Sequence, residues 1–422
     1  MKKKLIIIGG GFAGLNIAKT LSNVDNFEIT LVDKVNYNFF PPLLYQVATG
    51  FLESSSISYP FRKMFSNSKN IHFWLGELIN INTTENKVTL SNGELDYDYL
   101  VIATGTTTNY FGMENVKRHA IGMKTLEEAL NMRNVLLQRI EAAAISKNSE
   151  EQEQLMTIVV AGGGPTGVEL SGMFAEMSKD IIRKEYPELE HLTTSKIYLV
   201  DGSNTLLGPM SIQSQQYTLE AIKELGVVVK LNTQVVDFDG ETITFKDQST
   251  IKCKNLIWAA GVTAMRFNGL PEESYGRANR LIVDEFNKIK GTNNIYAVGD
   301  TAYMDSDKNF PNGHPQVAQV AMQQGKNLAK NLLNITSNRT QKEFNYFDKG
   351  SMAIIGRSKA VVDLPKPKFH FKGTLAWLAW LFVHLMSLST PRNKVNTFYH
   401  WAIAYFTKNS SLRMIIRPNN KI

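Results

Sequence analysis

Residues 4–21, KLIIIGGGFAGLNIAKTL, decide the fold of this chain. The apolar run 5–8 is typical of a buried strand, and the sequence after the glycines is typical of an amphipathic helix. Gly9, Gly11 and Gly14 have the spacing G-x-G-x-x-G. In that motif the first glycine allows a tight turn, the second lets the backbone approach a pyrophosphate, and the third lets the helix pack on the strand. The stretch therefore predicts a Rossmann-like dinucleotide-binding unit, with phosphates at the helix N-terminus.

The next predicted strand, FEITLVDK at residues 27–34, ends in an acidic residue, Asp33. It lies about 20 residues beyond the glycine motif, where a carboxylate accepts hydrogen bonds from a ribose. The residues that we predict to bind the first dinucleotide are Gly9, Gly11, Phe12, Ala13, Gly14, Asp33 and Lys34.

The same pattern recurs in MTIVVAGGGPTGVELSGMFAEM, residues 156–177, and the strand KIYLVDGS ends in Asp201. Residues 179–195 are expected to extend the helix and add a loop. Asp201 would repel a 2′-phosphate, and the GSNTLL that follows supplies no arginine, so NADH is favoured over NADPH. The second set of predicted binding residues is Gly162, Gly164, Pro165, Thr166, Gly167, Glu169 and Asp201. Two dinucleotide-binding folds in one chain imply two dinucleotides. A pair that exchanges electrons is a flavin and a nicotinamide, so we expect FAD and NADH.

Three further predicted strands end in glycine turns: YDYLVIATGTTTNY (97–110), LIWAAGV (256–262) and NNIYAVGDTA (293–302). The order of these strands and glycine motifs along the chain resembles that of the flavoproteins with two dinucleotide-binding domains. In that family the first glycine loop binds FAD and the second binds NAD(P)H. The resemblance implies an α/β fold with an FAD-binding domain at 1–115 and 290–363, into which an NADH-binding domain at 116–289 is inserted. It adds as cofactor-binding residues Ala103, Thr104, Gly105, Ala260, Gly261, Gly299 and Asp300.

Along essentially its whole length, the chain closely resembles one family, the type II NADH dehydrogenases. These are single-subunit NADH:quinone oxidoreductases. The stretches that carry the resemblance are FFPPLLYQVATG (39–50), VVAGGGPTGVELSGMFAE (159–176), HPQVAQVAMQQGKNLAKNL (314–332), FDKGSMAIIGR (347–357) and the tryptophan-rich tail. The resemblance implies hydride transfer from NADH to FAD. Two electrons then pass to a membrane quinone, ubiquinone or menaquinone, in a respiratory chain. We expect no proton pumping.

The resemblance also implies roles for individual residues. Ala318, Gln319 and Val320 match a motif at the quinone end of the flavin, with Gln319 as hydrogen-bond donor. The alternative is one face of an amphipathic helix, with Val317, Val320, Ala321 and Leu328 inward and a pair of glutamines buried.

Two further catalytic residues are expected. Glu169, predicted in the first turn of its helix, would approach the nicotinamide and flavin rings, although an acidic residue there could merely complement the helix dipole. Lys349 would favour a reduced anionic flavin, or it is a solvated lysine at a strand start. Pro41 and Pro42 predict an extended segment, after which Tyr45 and Gln46 border the quinone entrance or pack in the core.

The numbers and positions of cysteine and histidine exclude some classes of flavoprotein and a metal site. The single cysteine, Cys253, excludes disulfide reductases and sulfide:quinone reductases, which need several, and it is expected to be a buried small hydrophobe. The seven histidines are scattered without ligand spacing, so we predict no metal site.

The tail 364–422 carries all of the chain's net charge of +7, since it contains no Asp or Glu. Within it, the apolar run 375–386 is shorter than the roughly 20 residues that span a bilayer. Short apolar helices edged by aromatic and basic residues are typical of an interfacial membrane anchor. The alternative is a core or dimer-interface helix, and the long apolar runs argue against nucleic acid. A second apolar segment at 395–407 and the stretch SLRMIIR at 411–417 extend the predicted anchor.

We therefore expect a homodimeric peripheral membrane protein on the cytoplasmic face of the inner (cell) membrane. Two other classes of function remain open. One is a soluble flavin reductase that passes electrons to a protein or to oxygen, and the other is a flavoprotein that signals through a partner.

Overall fold

The computed structural model describes residues 2–192, 196–407 and 412–416. Its helices are α1 Phe12–Thr20, α2 Leu44–Ala48, α3 Ser54–Ile57, α4 Phe61–Met64, α5 Glu114–His119, α6 Leu126–Ile145, α7 Ser149–Met156, α8 Pro165–Met177, α9 Arg183–Glu185, α10 Ile212–Glu224, α11 Ala318–Thr336, α12 Thr374–Ser387 and α13 Pro391–Thr407.

The strands in the described residues are β1 Lys3–Ile8, β2 Phe27–Asp33, β3 Tyr37–Phe39, β4 Ser58–Pro60, β5 Ile71–Leu75, β6 Leu78–Asn82, β7 Lys87–Leu90, β8 Gly93–Asp96, β9 Tyr99–Ile102, β10 Thr107–Thr108, β11 Ile158–Ala161, β12 Ile197–Val200, β13 Val228–Lys230, β14 Val235–Phe238, β15 Thr242–Phe245, β16 Thr250–Lys252, β17 Asn255–Trp258, β18 Val262–Thr263, β19 Leu281–Ile282, β20 Ile295–Ala297, β21 Ala302–Tyr303, β22 Ser351–Gly356, β23 Lys359–Pro365 and β24 Lys368–Lys372.

By its internal contacts the chain divides into two compact units. The first unit comprises Met1–Phe39, Tyr59–Thr107 and Val262–Asp348, and the second comprises Phe40–Ser58, Thr108–Gly261 and Lys349–Ile422. These limits differ from the predicted domains, because the 40–58 segment and the C-terminal strands and helices make most of their contacts within the second unit. The assignment of one cofactor to each domain stays a prediction.

The first unit is built on a parallel sheet with the strand order β20-β9-β1-β2-β5. Ile8 pairs with Val32 on one side and with Ile102 on the other, so three strands end at the same edge. Strands β1 and β9 are buried on both faces over most of their length, which explains their continuous apolar sequence. On one face α1 packs against α11, although about 300 residues separate them in sequence.

The second unit repeats the plan with a smaller parallel sheet, β13-β12-β11-β17. Helix α8 follows β11 and packs both on this unit's sheet and on β22, part of an antiparallel β22-β23-β24 sheet. A Cβ on Gly172 would lie 1.7 Å from the carbonyl oxygen of Ile355, so only glycine permits this approach. Another antiparallel sheet of this unit, β14-β15-β16, has Phe238 and Phe245 in its core.

The C-terminal helices α12 and α13 belong to the second unit. Trp380 of α12 is fully buried, whereas Leu375, Leu378, Phe382 and Met386 of the same helix are more than half exposed. Their spacing of three or four residues places the exposed side chains on one face. Of the helices within residues 2–192, 196–407 and 412–416, none combines the length and the hydropathy that a membrane span requires. Within the predicted tail, residues 408–411 and 417–422 lie outside the described part.

Two local predictions were wrong. Pro41 and Pro42 begin a 3₁₀ turn that continues into α2, because proline is favoured in the first turn of a helix, where its missing N–H is not needed. Glu169 lies in the second turn of α8 rather than the first, since the helix begins at Pro165. Residues 179–192, by contrast, extend α8 by a π-helical turn, a short helix and a 3₁₀ turn, as predicted. The rest of that predicted segment, 193–195, lies outside the described residues.

Candidate active site

The first glycine loop joins β1 to α1. Gly9 has a φ of +102°, and a Cβ there would lie 2.4 Å from the carbonyl oxygen of Ala103. A Cβ on Gly14 would lie 1.9 Å from the carbonyl oxygen of Gly9, so both positions require glycine for packing. A Cβ on Gly11 meets no protein atom within 4 Å. The loop therefore leaves space beside the free N–H groups of α1, which suits a phosphate.

Asp33 stands at the end of β2 beside this loop. Its Oδ2 accepts the Gly10 N–H at 2.7 Å, and its Oδ1 accepts the Val35 N–H at 3.0 Å. Burial raises the pKa of the carboxyl, and these N–H groups oppose the rise. Each carboxylate oxygen has two acceptor sites, so a ribose hydroxyl can still be bound. Lys34 is exposed.

The late turn at Gly299 lies next to the first glycine loop, as predicted. Its N–H donates to Oε1 of Gln324 at 2.7 Å. A Cβ on Gly299 would lie 3.4 Å from the Cβ of Ala13 in α1. The buried glutamine of α11 is therefore Gln324, a residue that the sequence analysis did not single out, and it fixes this turn.

Among the described residues of the same unit, one threonine hydroxyl lacks a hydrogen-bond partner and another has only a long hydrogen bond. The buried Thr104 hydroxyl has no hydrogen-bond partner among the described residues. The Thr106 hydroxyl reaches Oδ2 of Asp300 only at 3.5 Å. A bound group with polar atoms would satisfy Thr104. These residues and the Gly11 space fit the ribityl and phosphate parts of FAD.

The second glycine loop has the same geometry. Gly162 has a φ of +118°, and a Cβ there would lie 2.4 Å from the carbonyl oxygen of Ala259. A Cβ on Gly167 would lie 1.7 Å from the carbonyl oxygen of Gly162, whereas one on Gly164 meets no protein atom within 4 Å. The second unit thus also offers a phosphate site at a helix N-terminus, which fits NADH.

Asp201 lies in a cavity of about 260 Å³ together with Gly162. It accepts the Gly163 N–H at 2.5 Å and the Ser203 N–H at 2.6 Å, so the carboxylate faces the loop where a ribose would lie. Ala260 is also part of this cavity, and its side chain is exposed. These residues occupy the positions predicted for them.

An aromatic wall of the same cavity was not predicted. Phe111 has a φ of +52° and an exposed ring that contacts Trp258 edge-on, 6.5 Å between centroids. Trp258 is held by a hydrogen bond of 2.8 Å from its indole N–H to the carbonyl oxygen of Asn109. The sequence offered only the adjacent aromatics at 110–111 as a signal, and nothing in it placed them beside Asp201.

Glu169 projects from α8 into a second, apolar cavity of about 600 Å³. The carboxyl reaches this cavity but is otherwise surrounded by protein, and this burial raises its pKa to about 8. The Ile354 N–H bonds to the carboxyl and opposes that rise. The Trp380 N–H acts in the same direction, although its geometry is not that of a hydrogen bond, so we treat its effect as electrostatic. At neutral pH the carboxyl is therefore largely protonated.

Tyr45 and Gln46 border the same cavity, and both are buried, so whether they border a quinone entrance stays a prediction. Burial raises the pKa of Tyr45 well above its usual value, and the charge of Glu169 adds to the rise. Gln46 Nε2 donates to the Tyr45 hydroxyl at 2.9 Å, and Trp401 Nε1 donates to Gln46 Oε1 at 2.6 Å. The role of Trp401 was missed, because no local pattern links α13 to a segment about 350 residues earlier.

The outer part of this cavity is formed by exposed apolar side chains of α12 and α13. They include Leu378, Phe382, Phe398 and Phe406. The cavity therefore leads from an apolar surface to the carboxyl of Glu169. We call it the apolar cavity.

His384 lies behind the apolar cavity. Its ring stacks on Trp380 at 3.8 Å, and its Nδ1 lies 2.8 Å from the Trp380 carbonyl oxygen. Burial lowers the pKa of His384 to about 4, so the ring is neutral at physiological pH. A neutral, stacked ring at this place supports the packing of α12.

The remaining predicted site residues fall in both units. Gln319 and Ala318 are half-buried in the first turn of α11, and Val320 is buried there. Val317 is 38% exposed rather than inward as expected, because it precedes the helix. Lys349 is exposed and precedes β22 by two residues. The other predicted residues stand in the two loops and strand ends: Phe12, Gly105 and Gly261 are half-buried, and Pro165 and Thr166 are exposed.

Cys253 is fully buried, and burial raises the pKa of its thiol to about 12. The prediction of a structural, unreactive cysteine is therefore confirmed. In the part of the chain that the structure describes, no group of three or more His, Cys, Asp or Glu side chains is arranged to hold a metal ion.

Comparison with known proteins agrees with this geometry. The pyridine nucleotide-disulphide oxidoreductase family matches residues 3–325, and the NDH2 C-terminal domain matches residues 349–408. The type II NADH:quinone oxidoreductase NdhA of Mycobacterium tuberculosis is 35% identical over 96% of this chain and 87% of its own. The corresponding enzyme of Haemophilus influenzae is 29% identical over 91% of this chain and 93% of its own.

A structure of NDH2 from Plasmodium falciparum in complex with NADH superposes with a TM-score of 0.90 at 22% identity, over 99% of this chain and all of that one. It confirms the fold, with two Rossmann-like units and a C-terminal helical region. The chain thus belongs to the pyridine nucleotide-disulphide oxidoreductases.

Within that class the chain is a member of the type II NADH:quinone oxidoreductases.

Proposed function

We propose that this protein oxidises NADH while docked on a membrane surface and that the apolar cavity receives the quinone head group. Membership of the type II family supplies the reaction itself, with FAD and NADH as cofactors and a quinone as the electron acceptor. FAD, when bound, accepts a hydride from NADH and returns two electrons to the acceptor.

The single observation that carries the proposal is the apolar cavity. It is large enough for a quinone ring, it begins among exposed apolar side chains, and it ends at three groups that can bond to a carbonyl: Tyr45, Gln46 and the protonated Glu169. A soluble protein acceptor would not need such a cavity. A quinone with an isoprenoid tail would, because the tail stays in lipid while the ring enters.

Docking on the membrane is supported by the exposed face of α12 and by α13. Phe382 is 65% exposed and Phe398 is 62% exposed, and both border the apolar cavity. Contiguous apolar surface of this kind marks an interaction site. The excess of basic residues after Leu364 adds attraction to anionic lipid. We place the enzyme on the cytoplasmic face, on the side where NADH is supplied, and we retain the homodimer as a prediction.

The predicted cofactor residues keep their roles as proposals. The first unit, with Gly11 and Asp33, would hold FAD, and the second, with Gly164 and Asp201, would hold NADH. For Glu169 we propose a role that differs from the expected one beside the nicotinamide and flavin rings: it would keep a proton next to the quinone. Gln319 would donate a hydrogen bond on the quinone side, as expected. Lys349 is exposed, and its influence on the flavin stays a proposal.

Steady-state oxidation of NADH, with and without a short-chain quinone, tests the proposal. We expect turnover to depend strongly on the quinone and to rise further when vesicles of anionic lipid carry it. Equal turnover with oxygen alone would favour a soluble flavin reductase. Slow turnover with every acceptor, together with tight NADH binding, would favour a signalling protein.

A further inference from the structure

Helix α13 carries three polar side chains at intervals of four residues, Asn393, Thr397 and Trp401, which therefore share one face. Asn393 and Thr397 are buried, although α13 lies at the exposed apolar surface of the second unit. All three side chains bond to the 40–58 segment. One face of α13 thus binds the 40–58 segment through side-chain hydrogen bonds.

The bonds of Asn393 and Thr397 fix the backbone of α3. The Asn393 amide donates to the carbonyl oxygens of Ser55, Ser56 and Ser58 at 3.0, 2.9 and 3.1 Å. The Thr397 hydroxyl donates to the Ser56 carbonyl oxygen at 3.2 Å. A buried amide that holds three carbonyl groups sets the position of α13 on this segment, and with it the position of the Trp401 ring.

Trp401 then determines which way a chain of hydrogen bonds runs. An indole N–H can only donate, so the Gln46 side chain must turn its oxygen towards Trp401. Its amide nitrogen consequently faces Tyr45 and donates to the hydroxyl oxygen at 2.9 Å. The Tyr45 hydroxyl accepts from Gln46 and therefore keeps its own hydrogen for another acceptor.

Tyr45 and Gln46 both border the apolar cavity. A quinone carbonyl is an acceptor without a donor, so it bonds only to a side chain that offers a hydrogen. If Gln46 turned its amide oxygen towards Tyr45, the Tyr45 hydroxyl would donate its hydrogen to that oxygen. It could then not donate to a quinone. The orientation of one amide thus decides whether Tyr45 can donate into the apolar cavity.

We propose that Trp401 is a positioning residue for quinone binding: it holds Gln46 in the orientation that leaves the Tyr45 hydroxyl as a hydrogen-bond donor to the quinone carbonyl. This inference rests on the proposed place of the quinone in the apolar cavity. The inference connects Trp401, on the proposed membrane-facing helix α13, with the hydrogen-bond donors that would bind the quinone.

The test is a double-mutant cycle on the full-length enzyme with bound FAD. Trp401→Phe removes the donor and keeps an aromatic ring, and Tyr45→Phe removes the hydroxyl. Loss of one hydrogen bond weakens binding about three- to tenfold. We expect each variant to raise the KM for a short-chain quinone, and the dissociation constant of a non-reducible quinone analogue, by this factor. The rate of reduction of the bound flavin by NADH should not change.

The double variant should bind no more weakly than Tyr45→Phe, because Trp401 acts through the hydroxyl that is already gone. Tyr399→Phe is the matched control, since it removes a hydroxyl from an exposed aromatic residue of the same helix, and it should change neither constant. A Trp401→Phe variant with unaltered quinone binding, or effects that multiply in the double variant, would overturn the inference while leaving quinone reduction intact. No quinone activity in the unaltered enzyme would instead reject the proposed function.

Discussion

The Glu169 carboxyl shows how burial sets the chemistry of one residue. Its position on α8 was readable from the sequence, but its protonation state depends on groups from β22 and α12 that meet it only in the fold. Because the apolar cavity replaces water around it, the carboxyl keeps its proton up to a pH of about 8. In the proposed function this proton would lie beside the quinone, whose reduction consumes protons.

We predict that quinone reduction by pre-reduced enzyme slows as the pH rises through about 8, where Glu169 loses its proton. Glu169→Gln should show no such decline, because an amide does not titrate. Single-turnover measurements with a short-chain quinone between about pH 6 and 9 check this. A decline that persists in the Gln variant would assign it to another group.

The same carboxyl affects stability. Its folded-state pKa is raised from 4.5 to about 8, so the neutral form favoured by burial contributes fully below about pH 4.5. This contribution is lost as the pH rises through 8, where the folded protein must hold a buried charge. We expect Glu169→Gln to resist denaturation at pH 9 better than the unaltered chain does, with a smaller difference at pH 6. Denaturant midpoints at the two pH values measure it.

Asp201 is expected to select NADH by repelling a 2′-phosphate. It also holds the Gly163 N–H, so its replacement should weaken NADH binding as well. We predict that Asp201→Ser combined with Gly202→Arg raises the ratio of kcat/KM for NADPH to that for NADH by about tenfold or more. Gly202→Arg alone is the control. An unchanged ratio in the double variant would remove the ribose role of Asp201.

At the scale of elements, helix α12 serves two surfaces at once. Its buried Trp380 packs within the second unit, as a core helix would, and its Phe382 face is exposed, as an anchor would require. Anchoring in the membrane stays a prediction. Deletion from Leu364 would therefore be a poor test of the anchor, because it would cut β23 and remove Trp380, whose N–H acts on the Glu169 carboxyl. Substitution of exposed residues separates the two functions.

We predict that Phe382→Glu together with Leu378→Glu releases the protein from vesicles of anionic lipid. Burial of each such side chain in lipid is worth about 1.5–3 kcal/mol, so binding should fall by more than tenfold. Ile145→Glu replaces a residue that is 83% exposed at the end of α6, outside α12 and α13, and serves as the control. Vesicle sedimentation measures the effect, and equal binding of the first variant would reject the anchor.

The N-terminus of α10 depends on a residue from β23. Oδ2 of Asp363 accepts the Ser211 N–H at 2.6 Å, and Oδ1 accepts the hydroxyls of Ser211 and Ser214 at 2.9 and 2.7 Å. We predict that Asp363→Ala lowers the free energy of unfolding by about 2 kcal/mol, and that Asp363→Asn, which keeps one acceptor, costs less. Denaturant unfolding of the second unit compares them. Equal loss in both variants would point to the charge instead of the bonds.

At the scale of the whole molecule, two glycine loops stand in two units of similar plan, and we propose that each loop serves one cofactor. Each loop has two glycines that packing requires and one, Gly11 or Gly164, whose missing Cβ faces open space. Substitution at these two positions should therefore affect ligands and spare the fold.

We predict that Gly11→Val yields a folded protein with little bound FAD, visible as loss of absorbance near 450 nm. Gly164→Val should retain FAD and lose NADH binding by about tenfold or more, because the side chain fills the space for the pyrophosphate. Circular dichroism verifies folding in both. Retention of FAD by the first variant and its loss from the second would reverse the assignment of cofactors to units.

The sequence alone determined the two Rossmann-like units, their glycine loops, the acidic residues at the strand ends and the C-terminal apolar helices, because local residue spacing and hydrophobic periodicity specify each of them. Only the tertiary structure decided the turn at Pro41, the partners of Glu169, the aromatic wall at Phe111 and the bond from Trp401 to Gln46. Those features join residues far apart in the chain. Burial and hydrogen-bond direction at such places depend on what the fold brings alongside, which no local pattern records.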